Sequence, residues 1–418
     1  MALNRRVLMT GLAGLTLTAC AHRPDPLRTP AASARRRIED LVYSAMVPAA
    51  GLVVRHRGEV IFAHADGLAQ GAAGEADAVP FTPQTPMRVA SVSKMATALT
   101  AQRLAEKGEV DLDADIRDSF TPALINAAYP NIPITLGHLL GHRSGLRDPE
   151  VYWMAAPGRT EDLFTPGMWS PEWWSLPGVG FRYCNFGYGL AGALLEKQTG
   201  ERFDQLAARE VIGPLGLDAG FNWSGVSLGK RRKAATLYSR EAEGSWQVEA
   251  DGPANLKGRD PAILIDEGAR LADYIPGTNG TLFSPQGGLR ASLEDIAILA
   301  RAAASVPGTI SRPLEQWIYN SARPNGDTEE GYFTDFGFGV QWHLPDNSPI
   351  PGTWLIGHHG EAYGLYSGAF HAPALDAEIA FAVTGTSVPG GDRSTHHPVI
   401  VKASEPLWAA AATLLAAL

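Results

Sequence analysis

The stretch Met87-Arg88-Val89-Ala90-Ser91-Val92-Ser93-Lys94-Met95-Ala96-Thr97-Ala98-Leu99 reads as a short strand or loop running into a helix. It has a serine at the turn and a lysine three residues on. Residues three apart share a helix face, so the Ser91 hydroxyl and the Lys94 amine lie within reach of each other. An amine that accepts the serine proton makes the serine a nucleophile. The rest of the chain can be read by asking whether it completes such a site.

Of the 418 residues, 45% are apolar, enough for a substantial core. The 45 glycines and 30 prolines indicate a globular chain rich in turns rather than a disordered one. With 35 Lys and Arg against 44 Asp and Glu, the net charge is −9. No basic face is suggested, which argues against nucleic acid as a partner.

Arg5 and Arg6 precede an uncharged run from Val7 to Ala19 and then Cys20. That run is too short to span a bilayer and fits a secretory signal over residues 1–20. Leu17-Thr18-Ala19-Cys20 resembles a bacterial lipobox. The resemblance implies a lipidated Cys20, a protein exported to the periplasmic side, and a membrane contact through that lipid. Residues 21–36, with three prolines and four arginines, read as a tether. Cys184 is the other cysteine, so the mature domain has no internal disulfide.

A helix is expected over residues 38–47, then a hairpin around Gly58 and the helix after Ser91, stopped by Gly108. Short helical patterns follow at Ile134–Leu140 and Tyr188–Thr199, the latter ended by Gly200. Residues 221–280 read as an irregular insertion. Ser292-Leu293-Glu294-Asp295 is a capped start for a helix over Ile296–Ala304. Strand patterns return at Phe336–His343, Trp354–His358, Tyr366–His371 and Glu378–Thr384, and the chain closes on a helix from Glu405.

The fold class is therefore α+β: an antiparallel sheet flanked by N- and C-terminal helices, plus an inserted mainly helical lobe. The α/β lobe is expected over about residues 37–108 and 285–418, and the helical lobe over about 109–284. A cleft should open between them.

Ser91-Val92-Ser93-Lys94, Tyr183-Cys184-Asn185 and His358-His359-Gly360 stand in the order and approximate spacing of three motifs, S-x-x-K, Y-x-N and [KH]-x-G. The chain thereby resembles the penicillin-recognising serine hydrolases, in the branch of class C β-lactamases, D-alanyl-D-alanine carboxypeptidases and family VIII esterases. The likeness runs from about residue 40 to 385 and includes the blocks Ile134–Leu146 and Gly287–Asp295. It implies a β-lactamase/transpeptidase-like fold, with Ser91, Lys94 and Tyr183 catalytic and Asn185, His358, His359, Gly360 and Glu361 binding substrate. The backbone N–H groups of Ser91 and Glu361 would then form the oxyanion hole. No metal or organic cofactor is implied. His138 and His142 have ligand spacing but lack an evident third ligand.

Physical logic matches those roles. Lys94 can act as a base only if burial lowers its pKa toward working pH. Tyr183, closing on both, can pass the proton to the leaving group. His358 stands where lysine is usual in β-lactamases and carboxypeptidases of this resemblance, and a neutral histidine offers a substrate carboxylate little. The Glu361 side chain could repel anions or attract an amine. The expected function is hydrolysis of an ester or amide, on a small molecule or short peptide, through an acyl-Ser91 intermediate. β-Lactamase or carboxypeptidase activity, or a penicillin sensor without turnover, stay open as alternatives.

Overall fold

The structure is a computed structural model describing residues 29–44, 47–71, 74–170, 176–240, 245–249, 270–305, 335–346, 348–385 and 401–418. The lipobox with Cys20 and the first half of the tether, residues 21–28, lie outside the described residues.

The strands are β1 Ala49–His56, β2 Glu59–Gln70, β3 Val79–Pro80, β4 Met87–Arg88, β5 Tyr238–Arg240, β6 Trp246–Val248, β7 Arg290–Ala291, β8 Asp335–Phe336, β9 Gln341–His343, β10 Leu355–Ala362, β11 Leu365–Ala372 and β12 Ala377–Thr384. The helices are α1 Pro30–Tyr43, α2 Ser93–Glu106, α3 Leu136–Leu140, α4 Asn185–Thr199, α5 Phe203–Ala207, α6 Leu228–Arg231, α7 Leu293–Ser305 and α8 Glu405–Leu415.

Eight strands form one antiparallel sheet in the order β3-β2-β1-β12-β11-β10-β9-β8. The terminal segments thus meet at its centre, where Ala49–His56 pairs along its whole length with Ala377–Thr384. Strands β11 and β12 are buried throughout, as befits strands covered on both faces. Arg57 and Gly58 both take positive φ, 52° and 83°, the two-residue turn whose twist matches the flanking strands.

On one face Ile38 and Leu41 of α1 and Leu407, Trp408 and Leu414 of α8 pack on Leu52, Val54, Phe370, Ile379 and Phe381. This is the cover of first and last helices that the sequence implied. On the other face a continuous cluster runs from Ala49 and Val53 through α2 and α7 to Leu190, Phe203 and Phe221. The inserted segment shares this core and has none of its own size. It holds α4 as its one long helix among the described residues, with short helices, 3-10 turns and loops around it.

Three boundaries differ from expectation. Helix α1 starts at Pro30, so residues 30–36, read as tether, are helical. Thr29 caps it by accepting from Ala32 N (3.1 Å), and proline's fixed φ suits the first helical position. Helix α4 starts at Asn185, not 188. Helix α7 starts at Leu293, where Ser292 N and Asp295 Oδ2 (3.0 Å) and Asp295 N and Ser292 Oγ (3.3 Å) form a reciprocal cap. Within 221–280, Phe221 and Trp223 are buried, and Arg290 ties that segment down by donating to Phe221 O (3.0 Å).

Candidate active site

Ser91 sits in a 3-10 turn, Ala90–Val92, that leads into α2. Ala90 takes a φ of +50°, a conformation that costs a non-glycine residue of order 1 kcal/mol or more and must be held by its surroundings. Ser93 holds it: its hydroxyl donates to Ala90 O (2.6 Å) and accepts from Leu289 N (2.9 Å). Val89 N donates to Leu289 O (3.0 Å), and Ser367 Oγ donates to Val89 O (3.0 Å). The Gly287–Asp295 block thus supports the nucleophile's turn.

Lys94, one helical turn on, is fully buried because α2 runs through the middle of the molecule with almost every face covered. Its Nζ reaches Ser91 Oγ (3.0 Å), Asn185 Oδ1 (2.8 Å) and Gln286 O (2.8 Å). Burial lowers its pKa from 10.5 to about 7, against the opposing pull of Asp148. A substantial fraction is therefore free amine at neutral pH, as a general base requires.

Tyr183 hydrogen-bonds Ser91, and burial pushes its pKa far above the ordinary phenol range. It stays a phenol, so it can relay a proton but cannot hold a negative charge. The Lys94 ammonium lies 4.7 Å from the centre of its ring. Behind Tyr183 stands His142, ring to ring at 4.4 Å, its Nδ1 accepting from Cys184 N (3.0 Å). That contact puts the imidazole proton on Nε2, and burial holds His142 neutral.

Asn185 opens α4 and presents its oxygen to Lys94. Its Nδ2 donates to Asp148 Oδ2 (2.8 Å), while Asp148 Oδ1 accepts from Phe186 N (2.7 Å). Neither Asp148 nor the His142–Tyr183 ring contact follows from the sequence motifs. Asp148 lies two residues beyond the recognised block ending at Leu146, and only the fold carries it to the start of α4.

Strand β10 forms the opposite wall. A Cβ on Gly360 would meet Val89 O at 2.5 Å, Ser367 Oγ at 2.6 Å and Ser91 N at 3.2 Å, so only glycine lets this strand lie against the Ser91 turn. That approach suits an oxyanion hole of Ser91 and Glu361 N–H groups. His358 is buried, its ring 6.3 Å from that of Tyr183, its Nδ1 against His359 O. Desolvation, then the nearby Lys94, lower its pKa to about 3.

Two sequence assignments need correction. His359 points to the other side of the sheet, bonded to His343 Nε2 (3.0 Å) and the Tyr366 hydroxyl (2.9 Å) among Phe370, Phe381 and Trp408. It is a core residue, because neighbours along a strand face opposite ways. By the same alternation, and opposite Tyr366 in the register, the Glu361 side chain lies on that far face. Its backbone, not its carboxylate, belongs to the site.

His138 does not join His142: it lies under Gly178, whose added Cβ would be 3.1 Å from its Nε2. Among the described residues, no group of three His, Cys, Asp or Glu is placed to hold a metal. Trp169 packs on the core and Trp153 is 48% exposed.

The sequence model of the Beta-lactamase family matches residues 34–405. Esterase EstB of Burkholderia gladioli is 31% identical over 366 residues, covering 81% of this chain and 86% of the esterase. Penicillin-binding protein 4 of Amycolatopsis lactamdurans is 24% identical over 358 residues, 84% of each chain. Among solved structures, D-amino acid amidase from Ochrobactrum anthropi SV3 complexed with D-phenylalanine matches with a TM-score of 0.61 at 20% identity. That match covers 90% of this chain and 97% of the amidase, a likeness of fold.

Proposed function

This chain belongs to the Beta-lactamase family of serine hydrolases, and on that premise we propose that it cleaves an ester or amide that offers no carboxylate to be gripped, working outside the cytoplasm. The observation that carries the substrate reading is His358. It is buried and neutral, with no hydrogen-bond partner at Nε2 among the described residues, at the position where a lysine would supply a fixed charge.

Catalysis follows from the proton-sharing cluster. Free-amine Lys94 takes the Ser91 proton as Oγ attacks the substrate carbonyl. Two backbone N–H groups then meet the oxyanion, each worth about 3 kcal/mol. Tyr183, held as a phenol, passes a proton to the departing alcohol or amine as the Lys94 ammonium returns to the phenol the proton it took from Ser91. Water then attacks the acyl-Ser91 ester with the same groups working in reverse.

Arg5-Arg6, the apolar run and Leu17-Thr18-Ala19-Cys20 support export and lipidation at Cys20, with the domain on the periplasmic side. Among the described residues, no helix is long and apolar enough to cross a membrane.

The test uses the purified protein and its Ser91→Ala variant with a fluorophosphonate probe, a short-chain p-nitrophenyl ester, a chromogenic cephalosporin and fluorescent penicillin. Ester turnover lost in the variant is the expected result. Fast cephalosporin hydrolysis would assign a β-lactamase instead, stable penicillin labelling a sensor, and no Ser91-dependent labelling would remove the proposal.

A further inference from the structure

We propose that Asp148 is a positioning residue for this hydrolytic site: it fixes which end of the Asn185 amide faces Lys94, and its carboxylate is the counter-charge of the Lys94 ammonium. The inference rests on the reading of Lys94 as the base for Ser91.

The argument starts from donors and acceptors. Lys94 Nζ can only donate when charged, and a carboxylate can only accept. Asn185 lies between them, with Oδ1 at 2.8 Å from Nζ and Nδ2 at 2.8 Å from Asp148 Oδ2. An amide between those two groups has one satisfied orientation. Replace the carboxylate with a neutral amide and both orientations find partners, one of which aims an N–H at the base.

Each oxygen of Asp148 has its own task. Oδ1 takes Phe186 N (2.7 Å) at the start of α4, a donor that the helix's own cap leaves free, since Cys184 Sγ takes Gly187 N (3.3 Å). Oδ2 is left for Asn185. The residues leading into Asp148 are clamped to the Met168–Ser170 segment. Arg147 N donates to Met168 O (2.9 Å), Ser170 N donates to Gly145 O (2.9 Å), and Leu146 bridges Trp169. That clamp fixes the backbone immediately before Asp148, and the carboxylate is held by Asn185 and Phe186.

The charge balance points the same way. Facing Lys94 are Tyr183, Cys184 and Tyr188 from the α4 segment, His142 from the loop after α3, and His358 from β10. Burial keeps both phenols and the thiol protonated and both imidazoles neutral. Among these described groups Asp148 is the carboxylate placed to favour a positive charge on Lys94.

The rate of fluorophosphonate inactivation is measured from pH 5 to 9 for wild type, Asp148→Asn, Asp148→Ser and Asp148→Glu, with thermal midpoints alongside. Serine can still accept from Phe186 N, so it serves if the asparagine variant does not fold. In the uncharged variants the acid limb should move down by about one pH unit, and the plateau should fall roughly tenfold or more as Asn185 loses its orientation. Glutamate, which keeps the charge, should restore the limb. If both uncharged variants keep the wild-type limb and plateau and lose only thermal stability, Asp148 is a helix cap and the inference fails. If wild type itself shows no Ser91-dependent inactivation, the underlying hydrolase reading has failed instead.

Discussion

His142 and Tyr183 pack with ring centres 4.4 Å apart and planes tilted by 35°, and the same imidazole accepts the Cys184 N–H at 3.0 Å. One buried side chain therefore fixes both the plane of the catalytic phenol and the backbone that follows it. His142→Phe keeps the bulk but removes the acceptor, leaving a buried N–H unpaired. A loss of about 1–3 kcal/mol in stability is expected, together with a fall in kcat that exceeds any change in KM. His142→Asn, which can still accept, should recover more stability than activity. Chemical denaturation and ester kinetics on the two variants check this.

Lys94 sets the pH dependence. Its folded pKa of about 7 lies below the ordinary 10.5, so acylation should rise with pH through an acid limb near pH 7 and then level. Lys94→Arg cannot lose its proton and should fall by roughly a thousandfold without a limb. A limb unchanged in the arginine variant would remove Lys94 as the base.

The same shift has a stability consequence of definite sign. Between pH 7 and 10.5 the unfolded chain holds a proton on Lys94 that the folded chain has lost, so folding becomes less favourable as pH falls across that window. Each pH unit is worth about 1.4 kcal/mol at most. The melting temperature of Lys94→Met relative to wild type should therefore climb as pH drops from 10 to 7 and then flatten. The hydrogen bonds that methionine cannot make add an offset that does not vary with pH.

Gly360 allows β10 to touch the Ser91 turn. A Cβ there would press on Val89 O at 2.5 Å, forcing the strand away from Ser91 N. Gly360→Ala should cost roughly a hundredfold or more in kcat by opening the oxyanion hole, with the far side of the sheet, including Tyr366 and Trp408, left folded. Near-ultraviolet circular dichroism beside the kinetics separates the two effects.

His358 is the residue proposed to select the acyl group. His358→Lys would place an ammonium beside the site, and a charged hydrogen bond contributes about 1.5–3 kcal/mol. The rate of penicillin acylation relative to ester hydrolysis should rise roughly tenfold or more. The acid limb of ester hydrolysis should also move lower, because a second cation disfavours the charged form of Lys94. An unchanged penicillin-to-ester ratio would show that the residue at 358 does not select the substrate.

Much of this was legible along the chain because it depends on local rules. Gly108 and Gly200 end their helices at positive φ, 74° and 72°, and Ser292 with Asp295 caps α7 by contacts three residues apart. The Thr29-Pro30 pair was an equally local signal for the start of α1, overshadowed by the arginines after it. Ser91 and Lys94 share one helix face and could be paired from spacing alone.

Other assignments depended on partners distant in sequence. Asp148 meets Asn185 and Phe186 across 37 and 38 positions, and His142 meets Cys184 across 42, so no local pattern could join them. His359 adjoins His358 in sequence, yet strand alternation sends it through the sheet into a core of Tyr366, Phe370 and Trp408.

The sequence by itself determined that Ser91 and Lys94 lie on one helix face and the order of strands and helices, because these follow from residue type at short spacing. Tyr183 was reached through the order of three motifs that the resemblance supplies. Only the tertiary structure decided how the base is tuned and held. Burial of Lys94 inside α2's apolar surroundings, the carboxylate at Asp148 and the imidazole behind Tyr183 all act through space. Their effects on a proton depend on distance and desolvation, which chain order does not encode.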